Sequence, residues 1–302
     1  MTDTAAHDNR IVVMGDLCVD VLIDCSYASP FIQHGPVEES SLRSSNSLSV
    51  GGSAWLLALA AKDTGFFVPL ILSAVGNDAW ADQLVTAVRA EGFPVESIQR
   101  TDATSTDLVC MITMPGHARL MFMPMEPTNN RLNEGFVLNF LRNTDPSLIK
   151  WTWVSGYALV DRSSTRRQAA RLLADWSRGD RIPVVLDLVP HEFDTAVGTL
   201  DEVVSFLGAP DALIGAPSTF RGFGYAYDEN SNDPVTGMRQ LATQASQDWG
   251  IVITQAHIGP EKFGQVVARD GTVISVDELV MPPHDVRGTG DRLAVEALHH
   301  LC

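Results

Sequence analysis

Basic residues are scarce in this chain. Its 302 residues hold 21 Lys and Arg against 37 Asp and Glu, a formal net charge of −16. No basic stripe is available to neutralise a phosphate backbone, which argues against nucleic acid and anionic membranes as partners. A small anionic ligand needs only a few local donors and stays open. Cysteine is also sparse: Cys18, Cys25, Cys110 and Cys302 are scattered without Cys-x-x-Cys spacing. That pattern excludes a zinc knuckle and a disulfide framework and suits a reducing compartment. No apolar run reaches the roughly 18 residues of a membrane helix. The polar opening "MTDTAAHDNR" lacks the basic-then-apolar order of a secretory signal. A cytoplasmic protein is expected.

Several catalytic signatures are missing too. There is no Gly-Lys-Ser/Thr phosphate loop, and no Gly-x-Gly-x-x-Gly after the first strand, which weakens a nicotinamide reading. Gly-x-Ser-x-Gly and His-Glu-x-x-His are both absent. His299 and His300 are adjacent, so they diverge on a helix and make a poor metal pair.

What is present is alternation. "RIVVMGDLCVDVLID" reads as a buried strand that turns at Gly-Asp and continues as a second strand. "GGSAWLLALAAKDTG" is a Gly-Gly turn and an apolar helix stopped at Gly65. "PLILSAVGNDAWADQLVTAVRAEGF" repeats strand, turn and helix, with the helix at about 79–90. "TSTDLVCMITMPGHARLMFMP" is a hairpin candidate, while the Ser- and Pro-rich stretch 26–50 reads as loop or small peripheral sheet. "WTWVSGYAL", "PVVLDLVP", "DALIGAP" and "GIVITQAHIG" are further strands, separated by helical stretches such as "STRRQAARLLADWSRG" and "VTGMRQLATQASQDWG". Such alternation predicts an α/β fold: a doubly wound, mostly parallel sheet with helices on both faces. Ligands of such sheets gather beyond the carboxyl ends of the strands, where these Gly and Asp turns fall.

The segment "DVRGTGDRLAVEAL" carries the sharpest chemistry. Gly288, Thr289 and Gly290 place backbone N–H groups at the mouth of a helix, an anion site by geometry and dipole. Asp291 beside them suits a general base that takes a hydroxyl proton while the amides hold a phosphoryl group. The competing reading is an ordinary helix cap after a Gly turn.

In their order along nearly the whole chain, these motifs resemble the ribokinase-like, PfkB-type sugar and nucleoside kinases. "GDLCVD", "VGGSAWLLALAAKDTG", "SAVGNDAWADQLVTAVRAEGF", "IVITQAHIGPEKFG" and "DVRGTGD" carry the resemblance. It implies one α/β domain over 1–302 with a small β-sheet lid from about 20–49 and 104–125. It further implies ATP with Mg2+ as donor and a small sugar- or nucleoside-like acceptor. Asp291 would be the base and Gly288, Thr289 and Gly290 the anion hole. Asp20, Gly51, Gly52 and Ser53 would hold the acceptor, and Thr254, Gly259 and Asp285 the nucleotide. A homodimer is allowed too, through the lid as in similar kinases or through an exposed C-terminal helix.

The sequence departs from the family in several places. Cys18 stands where the family often has Asn. Gly215 or Ala216, and Thr219 or Phe220, stand where its Asn-x-x-Glu element belongs. Trp55 and Leu56 follow the Gly-Gly turn and either line the acceptor site or belong to the core. Ala256 replaces a usual glycine. The nucleotide-side helices that follow the aspartate in relatives are missing or shortened. The final helix is therefore expected to expose Leu293, Leu298 and Leu301 to a partner surface. Two alternatives to a kinase remain: a catalytically silent kinase-like ligand-binding or scaffold protein, and an unrelated doubly wound enzyme such as a dehydrogenase or methyltransferase.

Overall fold

Short apolar runs ending in Gly, Asp or Pro become sheet strands. The computed structural model describes residues 9–25, 45–102, 104–113, 119–124, 126–188, 197–228, 233–259, 262–280 and 288–302. In chain order the strands are β1 (Arg10–Met14), β2 (Cys18–Asp24), β3 (Ser45–Gly51), β4 (Val68–Val75), β5 (Ile98–Arg100), β6 (Leu108–Thr113) and β7 (Arg119–Phe122). Then come β8 (Ile149–Ser155), β9 (Val184–Asp187), β10 (Ala212–Gly215), β11 (Ile251–Gly259), β12 (Lys262–Arg269) and β13 (Thr272–Val280). The helices are α1 (Ser53–Thr64), α2 (Ala79–Ala90), α3 (Glu134–Arg142), α4 (Thr165–Gly179), α5 (Leu200–Leu207), α6 (Pro217–Gly222), α7 (Pro234–Trp249) and α8 (Thr289–Leu301).

Nine strands make one sheet in the order β13-β12-β11-β10-β9-β8-β1-β4-β5. From β5 to β11 every pairing is parallel. β12 and β13 extend the sheet antiparallel. Alternate residues of each strand point to opposite faces, and both faces are covered. Val12, Leu72, Leu186 and Leu213 join α3, α4, α5 and α7 in one buried cluster. Ile11, Ile71, Val185 and Ile253 join α1, α2 and α8 in another. Burial on both faces is what makes the parallel strands continuously apolar rather than alternating. β12 and β13 were not foreseen. Their two-residue turn, Asp270 at φ 49° and Gly271 at φ 79°, is an Asp-Gly hairpin corner, which needs positive φ at both positions.

A second sheet of four strands, β3-β2-β6-β7, stands apart from the main one. β2 enters it directly from the end of β1 through the turn 15–17, and β3 leaves it into α1. Part of each expected lid segment lies outside the described residues. Among the described residues no helix is long and apolar enough to cross a membrane.

One expectation is overturned. α8 does not present a bare apolar face: Leu293 is 2% and Leu298 0% exposed, and Leu301 is half-buried. The covering surface is α1, whose Ala54, Leu57, Ala58 and Ala61 are wholly buried. A helix apolar nearly all round is sandwiched, here between the sheet and α8. The Trp151 indole N–H also donates to the Leu298 carbonyl at 3.1 Å, and Phe66 stacks on His299 with ring centres 3.9 Å apart. The idea of a homodimer through an exposed terminal helix therefore falls. Removing the buried Leu298 side chain should lower stability by about 2–5 kcal/mol in urea unfolding of Leu298→Ala. A loss below about 0.5 kcal/mol would mean that α8 is not part of the core.

Candidate active site

The corner at 288–290 is built as its residue types require. Gly288 lies at φ 74°, in the left-handed region, and forms the N-cap of α8 without any side-chain cap. Its carbonyl accepts from the Arg292 N–H at 2.9 Å, and as a glycine it offers no side-chain cap to the first N–H groups of α8. Gly290 is needed for a different reason. A Cβ there would stand 2.7 Å from Oε1 of Gln255. Gln255 Nε2 donates to the Gly290 carbonyl at 2.8 Å and to Gln265 Oε1 at 2.7 Å, and Gln265 Nε2 donates to the Leu293 carbonyl at 3.0 Å. Two strand glutamines thus hold the start of α8 against the carboxyl end of β11. Thr289 is buried at 6% exposure, and Gly290 and Asp291 open into a cavity of about 460 Å³.

That cavity lies beyond the strand ends, walled by β8, β9, β10, β11 and the start of α8. Asp187, the last residue of β9, faces into it together with Asp291. Gln255, His257, Phe263 and Tyr227 also line it. Burial pushes the Asp291 carboxyl up to about 7, opposed by its bond to its own backbone N–H. Asp187 is held well above the usual carboxylate range, by burial first and the Asp291 charge second, against a hydrogen bond from the Trp153 side chain.

A second group of expected residues meets at the end of β1. Asp20 is 4% exposed, and its carboxylate lies where a Cβ on Gly51 would stand, about 2.1 Å away. Gly52 sits at φ 98°, and a Cβ there would come 2.3 Å from the Asp16 carbonyl oxygen. Only glycine lets the chain pass this closely. The Ser53 hydroxyl accepts from the Asp16 N–H at 3.0 Å and donates to Ser155 Oγ at 3.1 Å, so it ties α1 to β1 and β8. Cys18, where the family often has Asn, donates its thiol to Asp20 at 3.4 Å. Burial first, then Asp20 and Asp16, raise that thiol well above its usual value. The two groups are close. Leu56, on the first turn of α1, lies 4.0 Å from where a Cβ on Gly288 would be.

Other expected residues fall elsewhere. Thr254 is 0% exposed within β11 and does not line the cavity; strand alternation gives that place to Gln255. Gly259 closes β11 beside the turn to β12, away from the cavity lining. Asp285 lies outside the described residues. Trp55 is a core residue at 6% exposure, edge-on to Phe93 at 6.1 Å. At the Asn-x-x-Glu position Gly215 and Ala216 line the cavity, whereas Thr219 and Phe220 are buried away from it. Asp187, Gln255 and the Asp16–Arg166 ion pair, at 2.6 Å, were not anticipated as site residues. A carboxylate closing an apolar strand was the available signal for Asp187.

No protein-family model matches the sequence, and neither does any curated protein. Solved structures do match over nearly the whole chain. 2-Dehydro-3-deoxygluconokinase from Thermotoga maritima superposes with a TM-score of 0.71 at 13% identity, covering 97% of this chain and 87% of that one. Ribokinase from Giardia lamblia gives 0.67 at 12%, covering 96% and 84%. Fructokinase with bound ATP from Xylella fastidiosa gives 0.65 at 14%, covering 97% and 81%. These are sugar kinases of the ribokinase/PfkB family, and the chain has their fold.

The raised Asp291 carboxyl has a measurable cost. Unfolded, the group ionises near its ordinary value of about 4; folded, it keeps its proton to about 7. The folded state therefore binds the extra proton, and stability falls as pH rises across that window. Thermal unfolding of Asp291→Asn should show a shallower loss between pH 4 and 7 than the native chain. Parallel curves would mean that Asp291 is not desolvated.

Proposed function

We propose that this protein is an ATP-dependent phosphotransferase that moves the γ-phosphoryl group to a hydroxyl of a small sugar- or nucleoside-like acceptor. The observation that carries this reading is that Gly290 and Asp291, in the first turn of α8, line one cavity together. The ATP-bound fructokinase among the structural neighbours supports the choice of donor.

The following roles belong to the same proposal. The acceptor enters beside Asp20 and the Gly51–Gly52 turn, where a buried carboxylate and a closely approaching backbone suit hydroxyl groups. Asp291 takes the acceptor O–H proton as the new O–P bond forms. The bond between the γ-phosphorus and its bridging oxygen breaks, and ADP departs with that electron pair. N–H groups of the corner receive charge that spreads over the phosphoryl oxygens, a donor set fixed in advance by the two glutamines. A base that ionises near 7 is matched to work at neutral pH.

Magnesium fits less well as a protein-held ion. The position of the family's acidic element carries Thr219 and Phe220, and no cluster of three His, Cys, Asp or Glu side chains occurs among the described residues. In this reading the cation comes as part of the nucleotide complex. The catalytically silent alternative draws on the same absence.

A homodimer through the small sheet belongs to the same proposal. Val21, Leu48, Cys110 and Phe122 are register partners across the four strands, and Ile23, Ile112 and Leu120 form the next row. Leu48, Leu120 and Phe122 are 59%, 49% and 57% exposed, while Asp20 and Ser49 point to the opposite, site-facing side. An apolar sheet face of this extent favours cover by a second copy.

Two measurements check the proposal. ADP release should be stimulated by sugars or nucleosides, and Asp291→Asn should lower turnover by at least about 100-fold; an unchanged rate removes the base role. In sedimentation velocity the native chain should be dimeric and Phe122→Glu monomeric. A native monomer would leave that face without the partner assigned here.

A further inference from the structure

The cavity holds a second carboxyl for which the reaction above has no use. We propose that Asp187 works there as a neutral carboxylic acid facing an ionised Asp291, so that the two side chains hold one proton between them. The use made of that proton rests on the kinase reading; its presence does not.

Strand geometry puts the two groups together. β9 points Val185 into the core beside α8, and two residues later the same face presents Asp187 at the strand's end. There it opens into the cavity that Asp291 also lines. Among the described residues that line the cavity there is no Lys or Arg. Arg292, next to Asp291, is engaged with Glu296 at 3.2 Å, and Lys262 on β12 with Glu278 at 3.2 Å. The other titratable groups facing the cavity are His257 on β11, set edge-on to Phe263 with ring centres 5.2 Å apart, and Tyr227. Tyr157, after β8, feels Asp187 from the far side together with Asp16 and Cys18. Two carboxylates in one recess ionise in separate steps, because the second charge must form against the first. The order follows from their places in the fold: Asp291 lies in the first turn of α8, where the helix dipole favours its charged form, whereas Asp187 ends a strand and burial raises it well above the usual carboxylate range. The Trp153 hydrogen bond holds the Asp187 side chain in place.

The arrangement has a chemical use. With Asp187 neutral, an entering polyphosphate meets one negative charge instead of two. The retained O–H is a donor for a phosphoryl or bridging oxygen in a cavity whose described lining holds no Lys or Arg. Asp291 stays free to accept the acceptor proton. This division of labour between paired carboxyls depends on environments that push their proton affinities apart.

The test uses the whole chain without nucleotide, labelled with carbon-13 at the aspartate side-chain carboxyls. These signals are followed by NMR as pH rises, and Asp187→Asn and Asp291→Asn identify their own resonances. Asp187→Glu supplies the first assignment should the asparagine variant not fold. The Asp187 signal is expected to remain protonated through pH 7 and to titrate above Asp291. In Asp291→Asn its midpoint should move down by about one pH unit, the facing charge being gone. An Asp187 signal that titrates in the ordinary range near about 4, or a midpoint unmoved in Asp291→Asn, overturns the proposal. Because no turnover is measured, this outcome is separate from the ADP-release assay that decides the kinase reading.

Discussion

The docking of α8 onto the ends of β11 and β12 is the constraint on which the site depends. Gln255 and Gln265 grip the carbonyls of Gly290 and Leu293, and that grip leaves no room for a side chain at 290. It also fixes where the uncapped N–H groups point and where the Asp291 carboxyl stands. On the other side Val295 and Leu298 are buried in the same cluster as α1 residues and Trp151. Burying two such side chains contributes about 1.5–3 kcal/mol each. The helix start is thus clamped by polar bonds and its body by apolar packing. A rigid donor array costs little reorganisation when charge develops against it.

The Asp20–Gly52 group and the glycine corner are joined through α1. The Gly51–Gly52 turn hands the chain from the small sheet into α1, Ser53 ties that helix to β1 and β8, and Leu56 reaches the glycine corner. A shift of the small sheet therefore acts on the first turn of α1, which touches the corner. Asp16, paired with the buried Arg166 at 2.6 Å, anchors the β1 end of this linkage.

Much of the fold was legible because it rests on local patterns. Apolar runs ending in Gly or Asp gave the parallel strands, and Gly65 stops α1 in the left-handed conformation expected of a C-cap. The β12–β13 hairpin has an equally local signal in Asp270-Gly271. The glycine corner and Asp291 were readable because their chemistry lies in consecutive residues. Gln255 and Gln265 were not, because their meaning depends on which strands become neighbours of α8. Asp187 looked like any strand terminus, for the same reason. The terminal helix was read correctly as amphipathic and wrongly as bare: its cover, α1, lies at the opposite end of the sequence.

The central claim is that the corner N–H groups and the Asp291 carboxyl converge on the phosphoryl group in flight. A crystal structure with ADP, magnesium and aluminium fluoride tests it most directly. The account expects the planar fluoride against the backbone N–H groups of Gly288–Asp291, with an Asp291 oxygen toward its open axial side. Fluoride held elsewhere, or an Asp291 side chain turned away from it, would contradict the account.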